Sequence, residues 1–429
     1  MSDTDRGIKM KILVVGGGGR EHAIIHKLSQ SSRVSKLYCA PGNGGISGIA
    51  ECISYKAMDI DGIAGFASSN AIDLVFVAPD DPLAAGMVDA LEKKGIRAFG
   101  ARKNAALLEA SKIYSKGLMN KYGIPTAAYG KFDSPEKAAT FAKELGFPVV
   151  IKADGLALGK GVIIALDKEQ ADAAIKAMLL DGVFGSAGSS IIVEEFLHGP
   201  ELTVLAFVDG KTIIPMVDSR DHKRALDGDM GLNTGGMGAI SPSRLYDDKM
   251  ADRCMKEIFM PTLNALNSEG VIFQGVLYFG LLLTEKGPKI LEYNARFGDP
   301  EAQAVLVRLK SDFVDAVDAV IDQKLDSIKL EWDSRPSACV VMSSGGYPQS
   351  YRTGFEITGL GDASAMNDVI VFHAGTRVEN GRFYTSGGRV LGITALGDTL
   401  DEAIERAYKA VELIDFEGKH YRTDIGKKH

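Results

Sequence analysis

The run Ile12-Leu13-Val14-Val15-Gly16-Gly17-Gly18-Gly19 constrains the fold more than any other stretch of this chain. Four apolar residues without alternation read as a strand covered on both faces, and such strands belong to parallel sheets. The glycines end the strand at a tight turn, and a helix is predicted over 20–30. Further apolar runs at 36–41 (KLYCAP) and 73–79 (DLVFVAP) alternate with helical stretches such as 83–94. This alternation predicts a βαβ domain with ligands at the C-terminal ends of its strands. The pattern fades near Gly100, and the domain is set at 11–110.

Beyond it the pattern changes. A helix is predicted over 102–121, closed by Gly123 and Pro125, and then strands dominate at 148–155, 161–166, 191–197, 201–208 and 211–217. Helices are expected at 134–145, 168–180 and 247–268, a hairpin within 276–294, and a helix from about Pro300. After Trp332 come strands at 337–343, 369–378 and 389–395 and a helix over 398–413. The expected class is α/β: an N-terminal parallel-sheet domain, an α+β region at 111–330 with a lid subdomain at about 124–197, and a C-terminal α+β domain at 331–429. Residues 1–10 read as a flexible tail. A length of 429 residues suits two to four domains with cores of their own.

Composition narrows the function. With a net charge of −7 and no block of Lys or Arg, the chain is a poor candidate for a nucleic-acid binder. The four cysteines (Cys39, Cys52, Cys254, Cys339) contain no C-x-x-C pair, which argues against structural zinc or a disulfide framework. No apolar run approaches the ~20 residues of a membrane span, and no secretion signal opens the chain. A cytoplasmic location is expected.

Two glycine-rich loops invite a phosphate. Gly16-Gly17-Gly18-Gly19-Arg20-Glu21-His22 resembles a dinucleotide fingerprint, but Glu21 occupies the place of its third glycine. The strand near 36–41 also ends in Cys39-Ala40-Pro41, without an acid for a ribose hydroxyl. On this loop alone a phosphate site at the helix N-terminus and a plain tight turn stand as alternatives. The second loop, Asp154-Gly155-Leu156-Ala157-Leu158-Gly159-Lys160-Gly161, lies between two strands, with Lys152 before it. It lacks the G-K-[ST] that opens a helix in a Walker A loop. A hairpin carrying Lys and glycines can fold over a triphosphate, the bland alternative being a mobile surface turn. Lys152, inside an apolar run, needs an anionic partner.

Further on, Ile191–Leu197 is an apolar strand ending in Glu194 and Glu195, with Glu201 after a Gly-Pro turn. A nucleotide across this hinge could pair its base with backbone at Glu195–Leu197 and its ribose with Glu201; an ordinary strand exit with solvated acids is the alternative. Glu292 and Asn294 share one strand face, and such a pair of oxygen donors suits Mg²⁺ completed by phosphates. Arg296 follows, placed to stabilise a transferring phosphoryl group; a surface salt bridge is the plainer reading. His222, in the loop Ser219–Arg224, has a general base as its sharper reading and a solvated loop histidine as the plainer and commoner one. No Ser-His-Asp or Cys-His spacing supports a covalent nucleophile.

Together these stretches resemble the glycinamide ribonucleotide synthetase (phosphoribosylamine–glycine ligase) family of ATP-grasp enzymes. The resemblance rests on GGGGREHA, APGNGG, LEASK, VIKADGLALGKGV, VEEFL, SRDHKR, NTGGMGAISP, LEYNARFGDPE, GGYP and RTDIG, and covers about 11–426. It implies a preATP-grasp domain, an ATP-grasp region with a lid, and a C-terminal domain. It also implies ATP phosphates on Lys112, Lys152 and Lys160, with Gly155, Gly159 and Gly161 in the lid, and adenosine held by Glu194, Glu195, Leu197 and Glu201. Glu292 and Asn294 would take Mg²⁺ or Mn²⁺, and Arg296 would be catalytic. The substrate side would hold Gly17, Gly18, Gly19, Arg20, Asp80, Asp218 and Gly298. The chain departs from the family at Asp80, where Glu is usual, at Leu158 and at Ala101.

The implied reaction activates glycine as an acyl phosphate, which the amine of 5-phosphoribosylamine attacks. Positioning and charge neutralisation suffice for it. Small molecules are the expected partners (ATP, glycine, 5-phosphoribosylamine), with no nucleic acid or membrane, and a monomer or weak dimer is expected. The alternatives are another ATP-grasp ligase or carboxylase, a nucleotide-binding regulator without turnover, and an NAD-dependent oxidoreductase.

Overall fold

The computed structural model describes residues 9–156, 161–181 and 189–427. At its N-terminal end the strand Met10–Gly16 is the centre of a five-stranded parallel sheet. Val34–Pro41 and then Glu51–Cys52 lie on one side, Leu74–Val77 and then Ala98–Phe99 on the other. Ile12 to Val15 are fully buried, as an unalternated apolar run requires when helices cover both faces. Chain order reverses on either side of Met10–Gly16. The crevice between its C-terminal end and that of Leu74–Val77 is therefore the switch point at which such sheets take ligands. The helix Gly19–Ser29 and the turn at Pro79–Asp80 open onto it.

Two predicted helices are each broken in the structure. The span 83–94 is two helices, Asp80–Ala85 and Met87–Lys93, parted at Gly86 with φ 91, a left-handed position that glycine adopts without a Cβ penalty. The span 102–121 is Lys103–Ala110 and Lys112–Lys121. Between them Ser111 is extended and caps the second helix, its Oγ accepting from the Tyr114 amide at 3.1 Å. Asp154 makes the break, accepting from Ser111 Oγ at 3.1 Å and from the Ile113 amide at 3.1 Å.

Two antiparallel sheets follow. The first, Tyr129–Phe132, Ile191–Glu195, Val149–Ala153 and Val162–Ala165, is covered by the helices Pro135–Leu145 and Lys168–Leu179. Ala138, Ala142, Ile175 and Met178 pack there on Val149, Ile151 and Val193. The predicted hairpin is present, Val149–Ala153 pairing with Val162–Ala165; Leu158, Gly159 and Lys160 lie outside the described residues. The second sheet has the order Ile213–Pro215, Glu201–Asp209, Gln274–Thr284, Gly287–Asn294. On its last strand Tyr293 is buried against Phe279 and its hydroxyl meets that of Thr262 at 2.8 Å. The other face thus carries Glu292 and Asn294. The helix from Pro300 spans only Glu301–Val305. A further helix, Phe313–Ile321, was not predicted. Its cue was local: Asp312 caps it through the Val314 amide at 2.8 Å, and Phe313, Val317 and Val320 share an apolar face.

The C-terminal sheet is built on Ser337–Ser344, flanked by Arg389–Leu396 and then Val369–His373 on one side. On the other it is extended by Gly238–Ser241 and Arg220–Asp221, strands from far upstream. The predicted strand 369–378 turns at Ala374-Gly375, and its second half, Thr376–Glu379, joins a separate three-stranded sheet. Among the described residues no helix is long and apolar enough to cross a membrane.

Histidines join the first sheet to the last. The His373 amide donates to His22 Nδ1 at 2.8 Å, and Asn43 Nδ2 donates to both the Gly17 and His373 carbonyls. Both rings are buried. Burial, with the charge of His373 and His26, pulls His22 down to about 3, and burial pulls His373 down to about 4. A base weaker in the folded than the unfolded chain stabilises the fold above its unfolded value, near 6.5, and loses that contribution as pH falls toward the folded value. The urea midpoint should therefore fall between pH 7 and pH 4.5, less steeply in His373→Asn. Equal slopes in the two proteins would remove this pair as a source of the pH dependence.

Candidate functional site

The loop that follows Gly287–Asn294 gathers the site. Arg296 Nη2 lies 2.6 Å from Glu109 Oε1 and 3.8 Å from Asp80 Oδ2, and its Nη1 donates to the Phe297 carbonyl at 3.1 Å. Its Nε is buried without a partner among the described residues. Glu109 also accepts from the Ala295 amide at 2.8 Å, fixing the start of the loop. Burial pushes the Glu109 carboxyl up, against the pull of Arg296. Burial also works to raise Asp80, but Arg296 and Arg20 outweigh it and hold its carboxyl below the usual range.

Arg20 approaches from the first glycine loop. It pairs with Glu21 at 2.7 Å, donates from Nη1 to the Phe297 carbonyl at 3.0 Å, and its amide points to Asp299 Oδ2 at 3.4 Å. The Gly18 amide donates to Glu21 Oε2 at 2.6 Å. Gly17 is required by close approach: a Cβ there would lie 2.4 Å from the Gly42 carbonyl oxygen. Gly19 faces Gln303, and a Cβ on Gly298 would meet the Glu301 carboxylate at 2.4 Å. Arg389, from the C-terminal sheet, closes this side. It pairs with Asp299 at 3.3 Å and donates to the Asp299 and Gly235 carbonyls at 2.6 and 2.7 Å.

Lysines fill the other side. Lys112 donates to the Gly155 carbonyl at 2.9 Å, and burial lowers its pKa. Lys152 and Lys116 both reach Glu194 Oε2, at 3.0 and 3.1 Å, and all three side chains are buried. Lys152 also donates to the Leu291 carbonyl at 3.3 Å. Glu195 accepts from the Ala128 amide at 2.9 Å and from Lys289 at 3.3 Å. Lys223 sits 2.9 Å from Glu201 and 3.5 Å from Glu292. Burial works to raise Glu292, yet Lys223, Lys152, Lys112 and Arg296 together hold it below the usual carboxylate range. Asp221 experiences the opposite balance. Loss of solvent pushes it up despite Lys223, with Glu301, Glu201 and Glu292 adding to the rise.

One loop thus brings together Gly17–Arg20, Asp80, Arg296 and Gly298, and one carboxylate, Glu292, draws in Lys112 and Lys152. Asn294 joins them through a long contact from Arg296 at 3.5 Å. Gly155 is held by Lys112, Gly161 borders the hairpin, and Leu197 is half-buried at the hinge. Asp218 is engaged elsewhere: buried, it accepts from the Ser243 amide at 2.6 Å, and burial raises its pKa. His222 is buried rather than solvated. Its Nε2 accepts from the Gly426 amide at 3.1 Å, and burial draws it down to about 4.

Sequence reasoning missed Glu109, Lys116, Asp221, Lys223, Asp299 and Arg389. Lys223 had a weak signal only, a cation between Asp221 and Arg224 in a polar loop; it lies in the short link between the strands Arg220–Asp221 and Arg224–Leu226. Arg389 had none, since its partner Asp299 is ninety residues away.

Comparison with known proteins identifies the family. Three family models match: the N domain of phosphoribosylglycinamide synthetase over 10–109, its ATP-grasp (A) domain over 110–302, and its C domain over 337–428. Phosphoribosylamine–glycine ligase of Caldanaerobacter subterraneus subsp. tengcongensis is 49% identical over 416 residues, which are 97% of this chain and 99% of that protein. The crystal structure of phosphoribosylamine–glycine ligase from Thermotoga maritima superposes with a TM-score of 0.84 at 33% identity, covering 97% of this chain and 100% of that one. The biotin carboxylase domain of Hydrogenobacter thermophilus 2-oxoglutarate carboxylase, in complex with MgADP, shares the fold, with a TM-score of 0.73 at 16% identity and coverage of 97% and 92%. This chain belongs to the phosphoribosylglycinamide synthetase family.

Proposed function

We infer that this chain ligates glycine to 5-phosphoribosylamine with ATP, giving glycinamide ribonucleotide, ADP and phosphate. Beyond family membership, one observation carries the reading. Arg296 follows the Glu292/Asn294 strand by two residues and is ion-paired to Glu109 and Asp80 at the N-terminal switch point. The lysine-rich side and the glycine-loop side therefore open onto one guanidinium.

A carboxylate does not condense with an amine near neutral pH, because oxide is too poor a leaving group. Transfer of the γ-phosphoryl group of ATP to glycine gives glycyl phosphate, whose carbonyl the phosphoribosylamine nitrogen attacks, expelling phosphate. In this reading Lys112, Lys152 and Lys160 neutralise the nucleotide phosphates, and Arg296 stabilises charge on the group in transit. Backbone at Glu195–Leu197 meets the base. Glu201 accepts from the ribose hydroxyls once Lys223, now shared between Glu201 and Glu292, turns to the phosphates. Gly17–Arg20, Asp80 and Gly298 face the phosphoribosylamine and glycine; Asp218 supports that wall through Ser243. The hairpin around Gly155, Gly159 and Gly161 covers the nucleotide and keeps water from the acyl phosphate.

Enzymes of this fold use ATP with a divalent cation. The donor set here fits one: Glu292 is an anionic oxygen donor among lysines, and Asn294 adds a neutral oxygen on the same strand face. Among the described residues no group of three His, Cys, Asp or Glu side chains is arranged to hold a metal ion. Two oxygens suffice for a hard cation that takes its other ligands from phosphates and water. We therefore assign Glu292 and Asn294 to Mg²⁺ or Mn²⁺, which when bound neutralises the charge developing on the phosphoryl oxygens. The same reading places the protein in the cytoplasm as a monomer or weak dimer acting on small molecules alone. Its proposed units are 11–110, 111–330 and 331–429.

Release of ADP measured with each substrate omitted in turn tests the reaction, which is expected to require both glycine and phosphoribosylamine; ADP release independent of either would overturn it. Glu292→Gln should leave the melting temperature unchanged and lower kcat about 100-fold or more, on the scale of removing a charged transition-state contact. Turnover near the wild-type rate with the same metal dependence would cancel the metal assignment. Asp80→Ala should raise the KM for phosphoribosylamine while the KM for ATP stays within about threefold, a shift of less than 1 kcal/mol. A parallel rise in both constants would take Asp80 off the substrate side.

A further inference from the structure

Lys116 is used by nothing in the mechanism above, yet it is among the most deeply buried cations of the chain, with 2% of its side chain exposed. Burial lowers its pKa to about 8 despite the carboxylate beside it. A methionine or leucine would fill the same space without that cost, and buried ion pairs commonly stabilise no better than apolar replacements. The network around it is specific. Its ammonium donates to Thr126 Oγ1 at 2.7 Å, and Thr126 in turn donates to the Ile290 carbonyl at 2.7 Å. Its second polar neighbour is Glu194 Oε2 at 3.1 Å, the oxygen that Lys152 already contacts at 3.0 Å.

Two ammonium groups thus crowd one oxygen of Glu194, while the other, Oε1, is buried with no hydrogen-bond partner among the described residues. A buried acceptor left unmade costs about 1–3 kcal/mol, and it lies at the end of Ile191–Glu195, the strand that runs into the nucleotide hinge. A carboxylate can only accept. The missing partner must therefore bring a donor. Purine bases differ at the matching position: adenine carries an amino group there, guanine a carbonyl oxygen.

We propose that Lys116 is a positioning residue that sets nucleotide preference: by pinning Oε2 of Glu194, with Thr126 behind it, it holds Oε1 as an acceptor for the amino group of adenine and against the carbonyl of guanine. This rests on the reading that a purine nucleotide lies at the 195–201 hinge. Without Lys116 the carboxylate keeps only Lys152, which also serves the Leu291 carbonyl, and is free to rotate.

The test is the ratio of dissociation constants for ATP and GTP, by calorimetry with Mg²⁺ on the full chain, in the wild type, Lys116→Met and Glu194→Gln. The wild type should prefer ATP by more than about tenfold, the worth of one hydrogen bond to a charged group. In Lys116→Met that preference should fall by about tenfold, through weaker ATP binding with GTP little changed. Loss of packing alone would weaken both nucleotides together. In Glu194→Gln, whose amide can also donate, GTP should gain on ATP. Equal binding of the two nucleotides by the wild type, or an unchanged ratio in folded Lys116→Met, overturns the proposal. If Lys116→Met does not fold, Glu194→Gln decides it, and an unchanged ratio there is fatal. These ratios need no turnover. A chain that selects ATP but forms no ADP with glycine and phosphoribosylamine loses the proposed reaction and keeps this inference; one that turns over with an unaltered ratio in Lys116→Met loses this inference alone.

Discussion

The contact on which the site depends is the ion pair between Arg296 and Glu109, 2.6 Å long with both side chains largely buried. Such a pair adds little net stability over an apolar substitute, because both charges must first be taken out of water. Removing one partner is another matter, stranding the other charge at a cost of about 3–5 kcal/mol. The pair therefore acts as a register mark. Glu109 ends the helix Lys103–Ala110 and also takes the Ala295 amide, so the helix, the strand bearing Glu292 and the loop bearing Arg296 are set by one carboxylate. Asp80 enters through the same guanidinium, which brings the parallel sheet to the same place.

From that mark outward the charges are arranged in two opposed balances. Around Glu292 four cations outweigh the partial burial and hold its carboxyl below the usual range. Around Asp221 loss of solvent and neighbouring acids outweigh Lys223 and push its carboxyl above the usual range. Lys223 lies between the two. In the proposed reading a polyanion competes with Glu201 and Glu292 for Lys223, which has to turn away from them when it binds.

What was readable in the sequence divides by range. Ile12–Val15 named the parallel sheet because burial on both faces leaves an unalternated run, and the Glu292/Asn294 pair was visible because strand alternation is a two-residue rule. The breaks at Gly86 and Ser111 were not visible in the same way. A glycine inside an apolar pattern can be tolerated or can turn the chain, and Ser111 is extended because Asp154, forty-three residues on, draws its hydroxyl and the Ile113 amide. Glu109 reads as one more acid on a helix until Arg296 is known to face it, 187 positions later by number. His222 misled for a related reason: its cover is Gly426, from the last few residues of the chain.

That last contact belongs to a wider clamp on the upstream strands that the C-terminal sheet takes in. Arg220–Asp221 and Gly238–Ser241 extend the sheet beyond Ser337–Ser344, and the segment after Lys419 then crosses the connection between them. His420 meets the Ala225 carbonyl at 2.8 Å. Arg422, with 1% of its side chain exposed, donates to the Arg224 carbonyl at 3.1 Å and pairs with Asp229 and Asp424. His222 and Lys223 link the strands Arg220–Asp221 and Arg224–Leu226, so a clamp on His222 and on the backbone at 224–225 holds the connection that carries Lys223. A loop as polar and glycine-rich as 219–238 would not hold a lysine between two carboxylates on its own propensity. The end of the chain supplies that rigidity, and Arg389 does the same for the Asp299 turn. In this fold the last sheet is a buttress for charges placed by the first two thirds of the sequence, which is why its residues carry structure into the site without being recognisable as site residues in the sequence.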